Sequence, residues 1–170
     1  MTLAKTIAAL AILATPAAAM TEAEAVKLAL DDEYRAYATY QAVMDKFGKV
    51  KPFANIQRAE TMHASILKDY AVRNNIAISA NPYLGANLPV APASLTEACA
   101  IGVQAEIDNA GLYQEQLLPA AAGNPELTAI FTKLMNDSQQ KHLRAFQRCG
   151  SGGGMGQGKG KGMGFGRMSH

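Results

Sequence analysis

Six polar residues of types that bind metal ions interrupt apolar stripes of helical spacing in this chain. They are Glu33, Glu60, His63, Glu106, Gln139 and His142. In two of the stripes, a residue with a side-chain oxygen precedes a histidine by three positions, which places both side chains on one helix face. Burying such groups among apolar residues is unfavourable unless they are paired or bind a metal. The spacing therefore predicts a buried metal site.

The two halves of the chain repeat one order, a single carboxylate followed by a pair that ends in histidine. In each half, the carboxylate and the pair lie at similar distances from the turn between them, at residues 48–51 and 123–124. An antiparallel helical hairpin would place them opposite each other at one depth. This is the ligand layout of di-iron and di-manganese carboxylate bundles. A hydrogen-bonded polar cluster without metal is the alternative.

The elements that position these residues are predicted to be helices, because apolar residues recur every three or four positions and no segment alternates as a strand does. Thr21 with Glu24, and Ser94 with Glu97, have the spacing of capping boxes. Residues 75–92 contain three prolines and are predicted to form a long crossover between helices 2 and 3. The fold class is predicted to be all-α, a four-helix bundle. The predicted helices are 21–47, 52–74, 94–118 and 124–150.

The two ends of the chain differ in composition from its body. Residues 1–19 contain one early cation, a short apolar run and a final Ala-Ala-Ala, which predicts a secretory signal peptide. The apolar run is too short to span a bilayer. Residues 150–170 are low in complexity, which predicts a disordered Gly/Met-rich tail. We therefore expect a bundle domain at 20–149 that is periplasmic or secreted, with no stable membrane insertion after signal removal.

The charge of the chain gives no indication of a nucleic-acid partner. The net charge of +2 falls to −2 for the bundle when the cations of the predicted signal peptide and tail are removed. Nucleic-acid-binding domains instead carry a basic patch. We expect metal ions as partners and no nucleic acid, and a homodimer is compatible with the sequence.

The chain has two cysteines, Cys99 and Cys149. Cys99 lies seven residues before Glu106, and Cys149 lies seven residues after His142. If helices 3 and 4 are antiparallel, both cysteines lie at the same end of the bundle, and seven residues are nearly two full turns. The spacing therefore predicts a Cys99–Cys149 disulfide. A soft-metal or redox pair is the alternative.

Four segments carry a resemblance to a known family: DDEYRAYATYQAVMDKFG, PFANIQRAETMH, GVQAEIDNAGLY and QQKHLRAF. They span roughly residues 25–149, and the sequence resembles the ferritin-like superfamily, most closely an uncharacterised family of exported ferritin-like domains. The resemblance implies that Glu33 and His63 hold one metal ion. It implies that Glu106 and His142 hold a second and that Glu60 bridges the two.

One position departs from the family pattern. The resemblance implies a second bridging glutamate where this chain has Gln139, and a neutral amide is a poorer bridge than a carboxylate. Asp137 is expected to face away from the site and not to compensate. Tyr37, Tyr40 and Tyr113 are expected to be core residues with local hydrogen-bond acceptors.

The resemblance implies a di-iron or mono-iron site, with manganese as an alternative. It implies an exported metal-binding protein that oxidises Fe(II) or reduces peroxide. The alternative is a non-catalytic metal-binding or structural module with one metal or none, because Gln139 replaces a bridging glutamate.

Overall fold

The computed structural model describes residues 19–150, which fold into four helices and contain no strand. The first two helices are α1, Glu22–Phe47, and α2, Phe53–Arg73. A single 3-10 turn, Gly85–Asn87, lies in the connection that follows them. The prediction of an all-α bundle is confirmed.

The other two helices are each interrupted by a π-helical turn. Helix α3 covers residues 95–120 and consists of Leu95–Leu112, the π turn Tyr113–Leu117 and Leu118–Ala120. Helix α4 covers residues 125–150 and consists of Pro125–Asp137, the π turn Ser138–His142 and Leu143–Gly150. Such turns are rare and occur frequently at functional sites. They distinguish α3 and α4 from the uninterrupted α1 and α2.

Two of the predictions concern residues that the structure does not describe. Residues 1–18 of the predicted signal peptide and residues 151–170 of the predicted tail lie outside the described part of the chain. Within residues 19–150, none of the helices has the combination of length and apolar composition that a membrane crossing requires.

The predicted capping boxes are formed fully in α1 and partly in α3. The Glu24 backbone N–H donates to Thr21 Oγ1 at 3.2 Å, and the Thr21 backbone N–H donates to Glu24 Oε2 at 2.8 Å. The Ser94 hydroxyl accepts from the Glu97 backbone, but the Glu97 carboxylate accepts from Ala93. These bonds satisfy donors that the first turn of a helix otherwise leaves without partners.

The helices form two antiparallel hairpins, α1 with α2 and α3 with α4. The connection at 74–94 lies along α1, because the Tyr83 hydroxyl donates to Asp31 at 2.8 Å and Lys46 Nζ donates to the Pro92 carbonyl at 2.6 Å. Asp31 and Lys46 are about 22 Å apart along the helix. The connection therefore follows α1 from Asp31 toward the C-terminal end of that helix.

The apolar core consists of two clusters, one on each side of a buried polar layer. One cluster includes Leu30 and Phe131, toward the start of α1. The other includes Phe53 and Phe146, toward the end of α1. Between them lie six polar residues that are each at most 4 % exposed, which we call the polar layer: Glu33, Glu60, His63, Glu106, Ser138 and His142.

The two cysteines lie at disulfide distance in the second apolar cluster, as predicted. Their Cα atoms are 5.8 Å apart, and both residues are buried beside Phe146. The bond joins the start of α3 to the end of α4, within one hairpin.

We expect loss of this bond to destabilise the bundle, because a disulfide restricts the unfolded chain. A Cys99→Ser, Cys149→Ser double variant should lose about 2–4 kcal/mol of unfolding free energy in urea denaturation. Titration of the unfolded, unreduced natural protein should detect no free thiol. Detection of two free thiols would show that the bond does not form.

Gly102 is required where α3 approaches α4. A Cβ atom at this position would lie 2.6 Å from the Phe146 ring, which is itself fully buried. Gly102→Ala should therefore cost about 1–3 kcal/mol in urea denaturation through overpacking. Gly111→Ala is the matched control in the same helix, because nothing lies within 4 Å of its added Cβ. The control should be neutral or stabilising by up to about 1 kcal/mol, and an equal loss in both variants would contradict the packing argument.

Candidate metal centre

All four helices contribute donors to one buried cluster. Helix α1 supplies Glu33, α2 supplies Glu60 and His63, α3 supplies Glu106, and α4 supplies His142. The donor atoms form two groups, and within each group all of them lie within 4.8 Å of one another. The first group takes its members from α1 and α2, and the second from α2, α3 and α4. The structure thus brings together five of the six predicted ligands.

Glu60 belongs to both groups. Its Oε2 lies 3.0 Å from His63 Nδ1, and its Oε1 lies 3.3 Å from His142 Nδ1. The two imidazole rings stack with their centroids 5.6 Å apart. Burial alone would raise the pKa of Glu60, but hydrogen bonds with His142 and His63 lower it to about 2. Glu60 is therefore an anion with one oxygen toward each histidine, as a bridging ligand requires.

Each histidine also faces a carboxylate from a third helix. His63 Nδ1 lies 3.3 Å from Glu33 Oε2, and His142 Nδ1 lies 3.6 Å from Glu106 Oε1. The same ring nitrogen of each histidine thus points at two carboxylates. In each donor group, Nδ1 of the histidine is therefore the nitrogen that could coordinate a metal together with the two carboxylates.

Two buried tyrosines hold the outer carboxylates. The Tyr113 hydroxyl donates to Glu33 at 3.4 Å, and the Tyr40 hydroxyl donates to Glu106 at 3.3 Å. Both tyrosines are core residues, as expected, but their acceptors are candidate ligands from another helix. The sequence contains a signal for this pairing, because each tyrosine follows a candidate ligand, Glu33 or Glu106, by seven residues. Tyr37 is half-buried and has no such contact.

Gln139 does not join the cluster, contrary to the prediction. Its Nε2 donates to the backbone carbonyl of Glu106 and to Ser138 Oγ. Ser138 is buried instead, and its hydroxyl donates to Glu106 Oε2. The π turn Ser138–His142 changes the phase of the helix. The inner position that the regular pattern assigned to Gln139 is therefore occupied by Ser138.

Asp137 approaches the cluster, so the expectation that it faces away is wrong. Its Oδ2 lies 3.4 Å from His63 Nε2, and the carboxylate also pairs with Lys133 and Lys141 at 2.6 and 2.5 Å. Burial would raise the pKa of Asp137, but the hydrogen bonds with the lysines lower it. A carboxylate on the outer nitrogen of a histidine fixes the ring and directs the other nitrogen to a metal. Here that other nitrogen is the one that faces Glu60.

The carboxylates around the two histidines raise the pKa of both imidazoles, which favours their protonated form at neutral pH in the metal-free protein. Burial would lower their pKa values, but hydrogen bonds with Glu33 and Glu60 raise the pKa of His63 to about 10. Hydrogen bonds with Glu106 and Glu60 raise the pKa of His142 to about 9. Burial, and then the charge of Glu60, raises the pKa of Glu33 well above its usual range. A metal must replace the imidazole protons, because only a neutral imidazole coordinates.

The residues fit transition-metal ions. Each donor group offers two carboxylate oxygens and one imidazole nitrogen, a set that suits iron, manganese or zinc. A cavity of about 470 Å³ reaches the cluster, and all five donor residues line it. Three protein donors leave further coordination positions for small molecules, as catalytic metal sites do.

The protonated histidines predict how stability depends on pH. Because their pKa values are raised from about 6.5 to about 10 and about 9, their contribution is complete below about pH 6.5 and is lost as the pH rises toward 9–10. The unfolding free energy of metal-free protein should therefore fall between pH 6.5 and 9.5. Metal-loaded protein is the control and should show a smaller decrease, since its histidines are already deprotonated. A flat profile for metal-free protein would contradict the assignment.

Protein-family models, curated proteins and solved structures were each compared with this chain, and none of the three comparisons finds a match. The chemistry of the protein is accordingly inferred from its own residues. The two donor groups that share Glu60 are the central feature.

Proposed function

We propose that this protein is a ferritin-like metalloprotein that binds two transition-metal ions at the polar layer. The observation that supports this most strongly is that two groups of donors share one carboxylate. Glu33, Glu60 and His63 would hold the first ion. Glu60, Glu106 and His142 would hold the second.

The ferritin-like assignment is supported by the order of the helices and by the repeated order of their donors. The connection between α2 and α3 runs along α1, which is compatible with the long crossover of such bundles. Iron is the proposed metal, and manganese is the alternative, because both accept mixed oxygen and nitrogen ligands. When bound, iron supplies one-electron redox chemistry, so the proposed activity is Fe(II) oxidation by dioxygen or peroxide.

The residues of this chain have distinct roles in the proposal. Glu60 would help to hold both ions, and its negative charge would offset part of theirs. Asp137 orients His63 through the outer ring nitrogen. Tyr40 and Tyr113 restrict the outer carboxylates by hydrogen bonding. The cavity gives the oxidant a route to the positions that the protein leaves open.

A second function is a non-catalytic module with one bound metal. The specific observation in its favour is that Gln139 is directed at the Glu106 backbone and Ser138 is the inner residue. Three carboxylates then face two divalent ions, which leaves roughly one uncompensated positive charge. The second ion would be the weaker of the two.

We also propose export to the periplasm or the exterior, on the pattern of residues 1–19. A disulfide-distance cysteine pair in the bundle agrees with an oxidising compartment.

Metal content and affinity test the site directly. Anaerobic titration with Fe(II), followed by native mass spectrometry, should find two ions per chain in the natural protein. His63→Ala and His142→Ala should each retain one ion. Glu60→Gln should weaken both sites at least tenfold, because it removes the shared anion. Glu115→Gln is the matched control on an exposed face and should bind as the natural protein does.

The outcomes separate the two functions. One ion in the natural protein, lost only in His63→Ala, would favour the one-metal module. Equal binding by the Glu60 and Glu115 variants would contradict both functions. Gln139→Glu should not add an ion, because its side chain faces the backbone of α3. If the Gln139→Glu variant does bind an additional ion, the π turn Ser138–His142 must change register so that the new carboxylate faces the cluster.

A further inference from the structure

A chain of hydrogen bonds joins the π turn of α4 to Glu106 on α3. The Gln139 Nε2 donates to the Glu106 backbone carbonyl and to Ser138 Oγ, and the Ser138 hydroxyl donates to Glu106 Oε2. A backbone carbonyl can only accept, so the first of these bonds fixes the orientation of the amide. The serine oxygen accepts from that amide and donates its single proton to the carboxylate. The donors therefore run in one direction, from Gln139 through Ser138 to Glu106.

Both oxygens of the Glu106 carboxylate are engaged by neighbouring side chains. Oε1 accepts from the Tyr40 hydroxyl at 3.3 Å and faces His142 Nδ1 at 3.6 Å. Oε2 accepts from Ser138. Glu106 and Ser138 are each 4 % exposed, so bulk water has little access to these bonds. Glu106 thus directs Oε1 to the second donor group, while Ser138 holds Oε2 toward α4.

Glu33, the corresponding carboxylate of the first donor group, has fewer hydroxyl partners. The Tyr113 hydroxyl donates to its Oε1 at 3.4 Å, and its Oε2 faces His63 Nδ1 at 3.3 Å. The position in α2 that corresponds to Ser138 is Ala59, which has no hydroxyl to donate. The two donor groups contain the same types of residue, but the outer carboxylate of the second is held at both oxygens by hydroxyl groups.

The number of oxygens that a carboxylate offers influences which ion a site prefers. Mn²⁺ suits octahedral sites rich in oxygen donors, whereas Zn²⁺ is commonly bound by three protein ligands with a fourth position open. A carboxylate with one oxygen hydrogen-bonded to the protein has a single oxygen for an ion. The second donor group then supplies one carboxylate oxygen each from Glu60 and Glu106 and one nitrogen from His142.

We propose that Ser138 and Gln139 are positioning residues that hold Glu106 to one oxygen, so that the second donor group favours an ion with few ligands, such as Zn²⁺, over Mn²⁺. The inference rests on the proposed binding of two ions and adds a preference at the second. Gln139 acts as the anchor of Ser138 and not as a ligand. The cavity between α1 and α3, which Glu106 and Ser138 line, leaves a further coordination position open to small molecules.

A His63→Ala background isolates the second donor group, because all three of its residues remain. We would measure the Kd of this protein for Zn²⁺ and for Mn²⁺ by chelator competition and take the ratio of the two. Adding Ser138→Ala should shift the ratio toward Mn²⁺ about fivefold, the effect of one lost hydrogen bond, because Oε2 of Glu106 becomes available. Ser138→Thr keeps a hydroxyl and should restore the ratio of the parent.

Variants of neighbouring positions test the anchor and the specificity of the effect. Gln139→Ala should shift the ratio in the same direction by a smaller factor, and this half-buried position should tolerate alanine even if Ser138→Thr does not fold. Gln140→Ala is the matched control, because Gln140 is exposed in the same π turn, and it should leave the ratio unchanged. In a His142→Ala background, which retains the first donor group, Ser138→Ala should have no effect on the ratio.

Two results would overturn the inference. One is an unchanged ratio in both Ser138→Ala and Gln139→Ala while an ion still binds. The other is an equal shift in Ser138→Ala and Ser138→Thr, since packing and not the hydroxyl would then be responsible. Failure of the natural protein to bind either ion would overturn the proposed function and this inference with it. An unchanged ratio would leave the binding of two ions intact, so the two failures are distinguishable.

Discussion

A carboxylate held between two buried imidazoles is the interaction on which the rest of this structure depends. Glu60 directs one oxygen to each histidine, and its charge compensates theirs in an interior where an unpaired ion would be strongly unfavourable. The two histidines lie on different hairpins, so this single residue requires both hairpins to meet at one depth. The remaining polar residues of the layer complete that arrangement by pairing with the histidines or with each other.

The apolar clusters support the polar layer from both sides. Phe53, Phe146 and Tyr40 form aromatic contacts with centroids 5.3–6.0 Å apart at one end. Tyr113 and Phe131 form a corresponding contact at the other end. Tyr40 and Tyr113 belong to an apolar cluster through their rings and to the polar layer through their hydroxyl groups. They therefore couple the packing of the core to the positions of the outer carboxylates.

Much of this arrangement was predictable because it follows from regular helical periodicity. The four helices, the two hairpins and the depth of Glu33 and Glu106 all follow from it. The errors arose at Asp137 and Gln139, where the helix departs from that periodicity. A π turn changes which side chains face inward, and the residue pattern of this sequence does not predict where a π turn occurs. Ser138 was missed for the same reason, since a serine beside a glutamine does not indicate which of them is buried.

The position of the disulfide has a consequence for motion. The chain has two cysteines, and their bond lies within the α3–α4 hairpin, so no disulfide ties the two hairpins together. Sliding of one hairpin against the other would change the width of the cavity between α1 and α3. It would also change the distance between Glu60 and His142. An ion bound by Glu60 and His142 would link the two hairpins, because these residues lie on α2 and α4. Ion binding at Glu60 and His142 and occupancy of the space between α1 and α3 would then be thermodynamically linked. Each would change the affinity of the other by the same factor.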